Sequence, residues 1–172
     1  MDIVKTTKIE RFAFTDRLAI VVATGAGAGF APQAPGTAGS AVGVLAYLLI
    51  ENLGLGAYYA HAIIFFLIAG IWAADRVERF WGHDSQRIVI DEIIGQMITF
   101  GLVAGRFRLS VFYVLAGFGL FRLFDIWKPF PLRRLEELKG GAGVVADDVG
   151  AGIYALMVLT LIQYSVRHWF GA

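Results

Sequence analysis

The chain has 172 residues, of which 58% are hydrophobic and 17% charged, with a mean hydropathy of +0.66 and a net charge of +1. Soluble domains usually carry about 25% charged and about 45–50% apolar residues, so this balance points to a single membrane-embedded domain over residues 1–172 and offers no basic face for nucleic acid. The lack of cysteine excludes a disulfide framework, a thiolate nucleophile and a Cys-based zinc site, and His61, His83 and His168 are too few for a multi-histidine cluster.

Residues 1–17 carry Lys5, Lys8, Arg11 and Arg17 but lack the compact apolar core of a secretory signal, and read as a cytosolic lead. Next comes "ATGAGAGFAPQAPGTAGS", residues 23–40. Phe30 occupies the third glycine position of a dinucleotide fingerprint, and no lysine precedes a serine or threonine as in a P-loop. What remains is an irregular segment leading into a helix predicted to start near Thr37, with Pro35-Gly36 as a turn and Thr37 as N-cap. Backbone amides at such a start bind phosphate, so Thr24, Gly36, Thr37 and Ser40 are candidate phosphate-binding residues. The same small residues would also serve close helix packing.

Five uncharged stretches follow: Ala38–Ile50, Leu53–Ala74, Ile93–Gly105, Leu109–Phe121 and Val149–Val166. The second and fifth reach the length that identifies a spanning helix. The others have thirteen residues, about 20 Å of helix. With the N-terminus in the cytosol and all five crossing, twelve basic residues fall inside and three outside, as the positive-inside rule expects. No stretch shows period-two alternation. The expected fold is all-α: a membrane-embedded bundle of about five hydrophobic helices with cytosolic polar loops. All motif-like segments, Thr24–Ser40, His83–Glu92 and Arg122–Asp148, then face the cytosol.

Several acids sit where solvation does not explain them. Asp91 and Glu92 lie in "IVIDEIIGQMITF", Asp125 in "FRLFDIWKPF", and Asp147 and Asp148 in "GAGVVADDVGAG". Acids at the edge of membrane helices are costly and usually line a polar cavity. Carboxylates converging from three helix ends repel one another unless a cation shares the site, and oxygen-only donors suit Mg²⁺ or Mn²⁺. A bland alternative is that they cap helix starts. Glu136, Glu137, Asp75 and Glu78 stand among basic residues and read as solvated faces. Arg122, one turn before Asp125, and Lys128, before Pro129, supply a guanidinium and an ammonium for phosphate; Trp127 and Phe130 resemble interfacial anchors.

Three blocks, "TGAGAGFAPQAPGTAGS", "HDSQRIVIDEIIG" and "FRLFDIWKPFP…GGAGVVADDVGAG", together resemble the phosphatidylglycerophosphatase A family of Mg²⁺-dependent bacterial lipid phosphatases. They run from Thr24 to Gly152 and cover most of the chain. The resemblance implies a phosphoric monoester hydrolase of the bacterial inner membrane. It would remove the terminal phosphate of phosphatidylglycerophosphate to give phosphatidylglycerol and inorganic phosphate. The family's acidic positions match Asp84, Asp91, Glu92, Asp125, Asp147 and Asp148; its Arg-x-x-Asp and Lys-Pro elements match Arg122 and Lys128-Pro129. Gln33, where some relatives have lysine, and Lys139, where histidine is common, depart from the pattern without touching the acids.

The expected chemistry is metal-assisted in-line attack by water, with Mg²⁺ held by Glu92, Asp125, Asp147 and Asp148, and with Asp91, Glu92 and Asp148 in catalytic roles. His83 and Asp84 are secondary candidates. An aspartyl-phosphate is the other route such residues allow, but the chain lacks an Asp-x-Asp-x-Thr pattern. The spacings of a CDP-alcohol phosphotransferase and of a histidine-dependent lipid phosphatase do not occur. A cation transporter, or a phosphatase of another lipid phosphate, is the competing expectation; a transporter would place its acids at mid-membrane rather than at one interface.

Overall fold

A computed structural model describes residues 13–82, 85–101, 111–135 and 137–170. They form seven helices and no strand: α1 (Phe14–Ala23), α2 (Pro35–Asn52), α3 (Tyr59–Trp81), α4 (Ile90–Thr99), α5 (Val111–Trp127), α6 (Leu132–Leu135) and α7 (Gly141–Phe170), with 3₁₀ turns at Ala28–Phe30 and Gly56–Tyr58. The all-helical expectation holds. The spans Gly56–Trp81 and Gly141–Trp169 are long and apolar enough to cross a bilayer. Large apolar side chains such as Phe65, Ile68, Leu115 and Leu161 point outward, a surface of the kind that meets lipid or a partner.

Helix α4 departs most from the sequence reading. It ends at Thr99 after ten residues, about 15 Å, too short to span. The expected stretch Ile93–Gly105 therefore breaks within the described residues, and its remainder lies outside them, as do Arg106 and Arg108. Nearly all of α4 is buried, Ile90, Ile93, Ile94, Gln96 and Met97 included. It is the axis around which α2, α3, α5 and α7 pack. Below it, Tyr47 stacks on Phe100 with centroids 4.6 Å apart, and the Tyr59 hydroxyl donates to the Met97 carbonyl at 2.8 Å.

Helix α2 begins at Pro35 rather than near Thr37. Its N-cap is Ala34, and Pro35 takes the first helical position, where its missing N–H costs nothing. Thr37 is thus an exposed residue of the first turn and not a cap. Helix α7 begins at Gly141, well before the apolar run, so Asp147 and Asp148 sit in its second turn. Close glycine contacts join α7 to its neighbours. A Cβ at Gly152 would collide with the Gly95 carbonyl of α4, and one at Gly95 with the Asp148 carbonyl and the Phe121 ring. Gly95 lies one turn after Asp91, and Gly152 one turn after Asp148. The same backbone contact therefore draws the acids of the two helices together.

Candidate active site

The starts of α2, α4 and α7 and the end of α5 enclose a cavity of about 410 Å³, lined by Gly36, Asp91, Glu92, Arg122, Asp125, Lys128, Asp147 and Asp148 among others. The acids come from three helices that each have a reason to end here. Asp91 and Glu92 occupy the first turn of α4, where the helix dipole favours negative charge. Asp125 lies in the last turn of α5, and Asp147 and Asp148 in the second turn of α7.

The five acids divide into two kinds. Carboxylate oxygens of Asp91, Glu92 and Asp148 all lie within 4.8 Å of one another. Asp125 and Asp147 instead each hold a cation: Arg122 Nη1 is 2.5 Å from Asp125 Oδ2, and Lys128 Nζ is 2.7 Å from Asp147 Oδ2. One oxygen of the triplet is accounted for, since Asp91 Oδ1 accepts from the Glu92 N–H at 3.1 Å. Glu92 Oε2, by contrast, is buried with no hydrogen-bond partner. In short, buried α4, burial pushes the Asp91 carboxyl well above the ordinary carboxylate range, with the Glu92 charge adding to it. Burial also raises Glu92, and Asp125 adds to that shift. Two crowded, buried acids favour sharing a proton or a cation over carrying two uncompensated charges.

The cations are held in place by backbone and side chain. Arg122 Nη1 also donates to Ser40 Oγ at 3.4 Å, and the Ser40 hydroxyl donates to the Gly36 carbonyl at 2.9 Å. A Cβ at Gly36 would displace Glu92 Oε1 and crowd the Arg122 guanidinium, so the glycine leaves room for both side chains in the cavity. Lys128 and Ala34, both on the cavity wall, have φ of 47° and 48°. A left-handed conformation at a non-glycine residue costs on the order of 1–3 kcal/mol and concentrates where function requires it.

Most sequence-derived site residues are brought together: Asp91, Glu92, Asp125, Asp147, Asp148, Gly36, Arg122 and Lys128. Ser40 sits behind the wall as a support for Arg122. Thr24 does not reach the cavity; it ends α1, buried, with its hydroxyl donating to the Ile20 carbonyl at 2.7 Å. Thr37 is exposed and does not line the cavity. His83 and Asp84 lie outside the described residues. Ser85 and Gln86 line the cavity and went unnoticed in the sequence. They precede α4, and nothing in their residue type separates them from an ordinary polar turn.

Residues 21–163 match the profile of the family described as phosphatidylglycerophosphatase A. The chain is 40% identical over 153 residues to a Bacteroides thetaiotaomicron protein provisionally named phosphatidylinositol-3-phosphatase, covering 87% of this chain and 96% of that one. It is 40% identical over 147 residues to phosphatidylglycerophosphatase A of Haemophilus influenzae, covering 84% and 88%. Against phosphatidylglycerophosphatase A of Escherichia coli it is 32% identical over 152 residues, covering 87% and 84%. No solved structure matches it significantly.

Proposed function

The chain belongs to the phosphatidylglycerophosphatase A family and dephosphorylates phosphatidylglycerophosphate; we infer that it does so with Mg²⁺, in the carboxylate-lined cavity, at the cytosolic face of a membrane that its helices cross several times. The observation that carries this reading is the triplet Asp91, Glu92 and Asp148, three carboxylates within 4.8 Å and no side-chain cation among them. The donor set is all oxygen, and Glu92 Oε2 is buried without a partner. Both features fit Mg²⁺, which takes few carboxylates and leaves room for substrate phosphate.

Glu92 and Asp148 would hold the ion, with Asp91 beside them, and bound there it would supply Lewis-acid neutralisation of the phosphoryl oxygens. Asp125 and Asp147, placed with the metal ligands in the sequence reading, serve in this proposal to position Arg122 and Lys128. Those two cations bind the remaining phosphate oxygens, the guanidinium in bidentate fashion and the ammonium as a point charge. Asp91 takes the proton of the attacking water on its Oδ2, its Oδ1 being engaged by the Glu92 N–H. The water oxygen bonds to phosphorus, the ester oxygen departs with its electron pair and is protonated, and phosphatidylglycerol and inorganic phosphate result. Orientation is supported by Arg76, Arg79, Arg122, Lys128, Arg133 and Arg134, which belong to the segments that the positive-inside pattern places in the cytosol.

The name of the Bacteroides relative brings a second lipid into the test. Phosphatidylinositol 3-phosphate and phosphatidylglycerophosphate both carry a phosphate monoester on the headgroup beyond the diester. Phosphate release from each, and from phosphatidic acid, is to be measured in detergent with Mg²⁺ and with EDTA. Release from phosphatidylglycerophosphate should lead and should vanish with EDTA. Undiminished release in EDTA would remove the metal from the proposal, and faster release from the inositol lipid would reassign the substrate.

A further inference from the structure

Beside the catalytic cavity lies a second one of about 440 Å³, formed by the turn between α5 and α7 and walled by Trp127, Lys128, Phe130, Arg133 and Arg134. Lys128 lines both, so the two adjoin across one side chain. We propose that this second cavity is the subsite for the phosphodiester phosphate of the lipid, with Arg133 and Arg134 as its ligands. The inference rests on the phosphatase reading above and adds the residues that recognise the part of the substrate left unchanged by the reaction.

The turn is built rigidly from the inside. Leu132 is buried and fills the space over Gly150, where a Cβ would collide with it. The Tyr154 hydroxyl of α7 donates to the Phe130 carbonyl at 3.1 Å. With Leu132 turned inward, the next two residues of α6 point outward, and both arginines are exposed. Neither makes an ion pair among the described residues, whereas Arg122 and Lys128 do. The Arg134 guanidinium lies over the Phe130 ring, 4.9 Å from its centroid, a cation–π contact that restricts the side chain at the cavity wall.

The surroundings fit a lipid phosphate rather than a free anion. Trp127 and Phe130, on the wall of this cavity, are 59% and 72% exposed, and the neighbouring Ile126 at the end of an apolar helix is exposed as well. Such side chains belong at headgroup depth, with the acyl-glycerol beside them. The substrate's two phosphates are separated only by a three-carbon spacer, so a monoester held by Lys128 and Arg122 leaves the diester within reach of the adjoining cavity. A different cavity, beside Phe80 and Trp81, also meets the catalytic one and contains Arg87. That cavity offers one guanidinium, stacked on Trp81, where the α6 turn offers two.

The two products report the two subsites separately. Phosphatidylglycerol carries the diester alone, and inorganic phosphate mimics the monoester alone. In neutral detergent micelles, Arg133→Gln should raise KM and the inhibition constant of phosphatidylglycerol about tenfold, the usual weight of a charge-assisted pair. Inhibition by inorganic phosphate and kcat should stay within about twofold. Arg133→Lys should recover part of the loss, and Arg87→Gln should leave all four values unchanged, which also controls for folding. Equal weakening of both inhibitors by Arg133→Gln, or loss of phosphatidylglycerol inhibition in Arg87→Gln instead, would overturn the subsite. Failure of the unmodified enzyme to release phosphate from phosphatidylglycerophosphate would instead overturn the reading on which it rests.

Discussion

Asp16 and the group Asp91, Glu92 and Asp148 are both acids brought to helix ends, but only the first has its charge answered. Asp16 Oδ1 receives Arg76 Nε at 2.7 Å, its Oδ2 receives the Ala13 N–H at 2.8 Å, and Arg76 goes on to Thr15 Oγ1 at 2.8 Å. Every donor meets an acceptor, and the result is a clamp of α1 against α3. In the triplet, three carboxylates face one another and Glu92 Oε2 is left without a partner. Satisfied polar groups hold a structure together, whereas a buried group left unsatisfied needs another explanation. In the function proposed above, that explanation is a cation among the three carboxylates.

The comparison breaks first at Asp148. Asp148→Asn keeps the shape of the side chain and removes one of three crowded charges. Phosphate release should fall on the order of a thousandfold, the scale of losing a main electrostatic stabiliser of the transition state. In EDTA the variant should melt higher than the unmodified protein, because a repulsion has gone. Asp16→Asn should do neither. Retained activity in Asp148→Asn, or a lower melting point in EDTA, would place the triplet among the structural acids.

Lys128 tests whether a cation at the site edge belongs with the clamp or with the chemistry. Its partner Asp147 is largely buried, so Lys128→Ala confounds lost phosphate binding with an unpaired charge. The double variant Lys128→Met with Asp147→Asn removes both charges. Thermal stability should return close to that of the unmodified protein while kcat/KM stays about 10- to 100-fold low, the weight of one charged contact to phosphate. Recovery of activity along with stability would make Lys128 a strut.

Mg²⁺ gives a smaller effect without a mutation in the reference protein. Saturating ion at a hundredfold excess over its Kd should stabilise the folded state by about 2.7 kcal/mol. The thermal midpoint should rise with added Mg²⁺ and stop rising in Glu92→Gln and Asp148→Asn. An equal rise in those variants would locate the ion elsewhere.

How much of this could be read from the residues follows from the range over which each interaction acts. Much of α2, α3, α5 and α7 was visible because apolar length is a local property, whereas α1 lay partly within the charged lead; the acids stood out because each broke an apolar run. Which acids meet was not visible. Asp147 and Asp148 are adjacent, yet one turns to Lys128 and the other to Glu92, and only the rotation of α7 against α4 decides between them. That rotation is set by Gly95 and Gly152, which as letters look like any other small residues. The starts of α2 and α7 were misplaced for a related reason. Pro35 read as a turn residue but takes the first position of α2, and Gly141 opens α7 well before the apolar run that starts at Val149. Thr24 shows the opposite error: a polar residue in a glycine loop read as a ligand, when it serves its own helix end.

The smallest effect belongs to the clamp and carries a sign that the triplet lacks. Burial works against the Asp16 charge, but the Ala13 N–H and then Arg76 outweigh it, and the carboxyl is held below its ordinary value. A depressed folded pKa stabilises the protein at pH above the unfolded value, near about 3.9 for Asp. That contribution disappears as pH falls through the lower folded value. Asp16→Asn should therefore melt slightly below the unmodified protein at pH 7, since a partly exposed ion pair contributes little. The two curves should converge as pH drops below about 4. Turnover measured at pH 7 should be unchanged, because Asp16 itself lies away from the cavity lining, and α1 is tied toward the site by the Val89 N–H donating to the Ala23 carbonyl at 2.8 Å. If turnover fell with the melting point, the path from Ala23 to Val89 and on to Asp91 would carry more than support, and the separation between answered and unanswered acids would have to be redrawn.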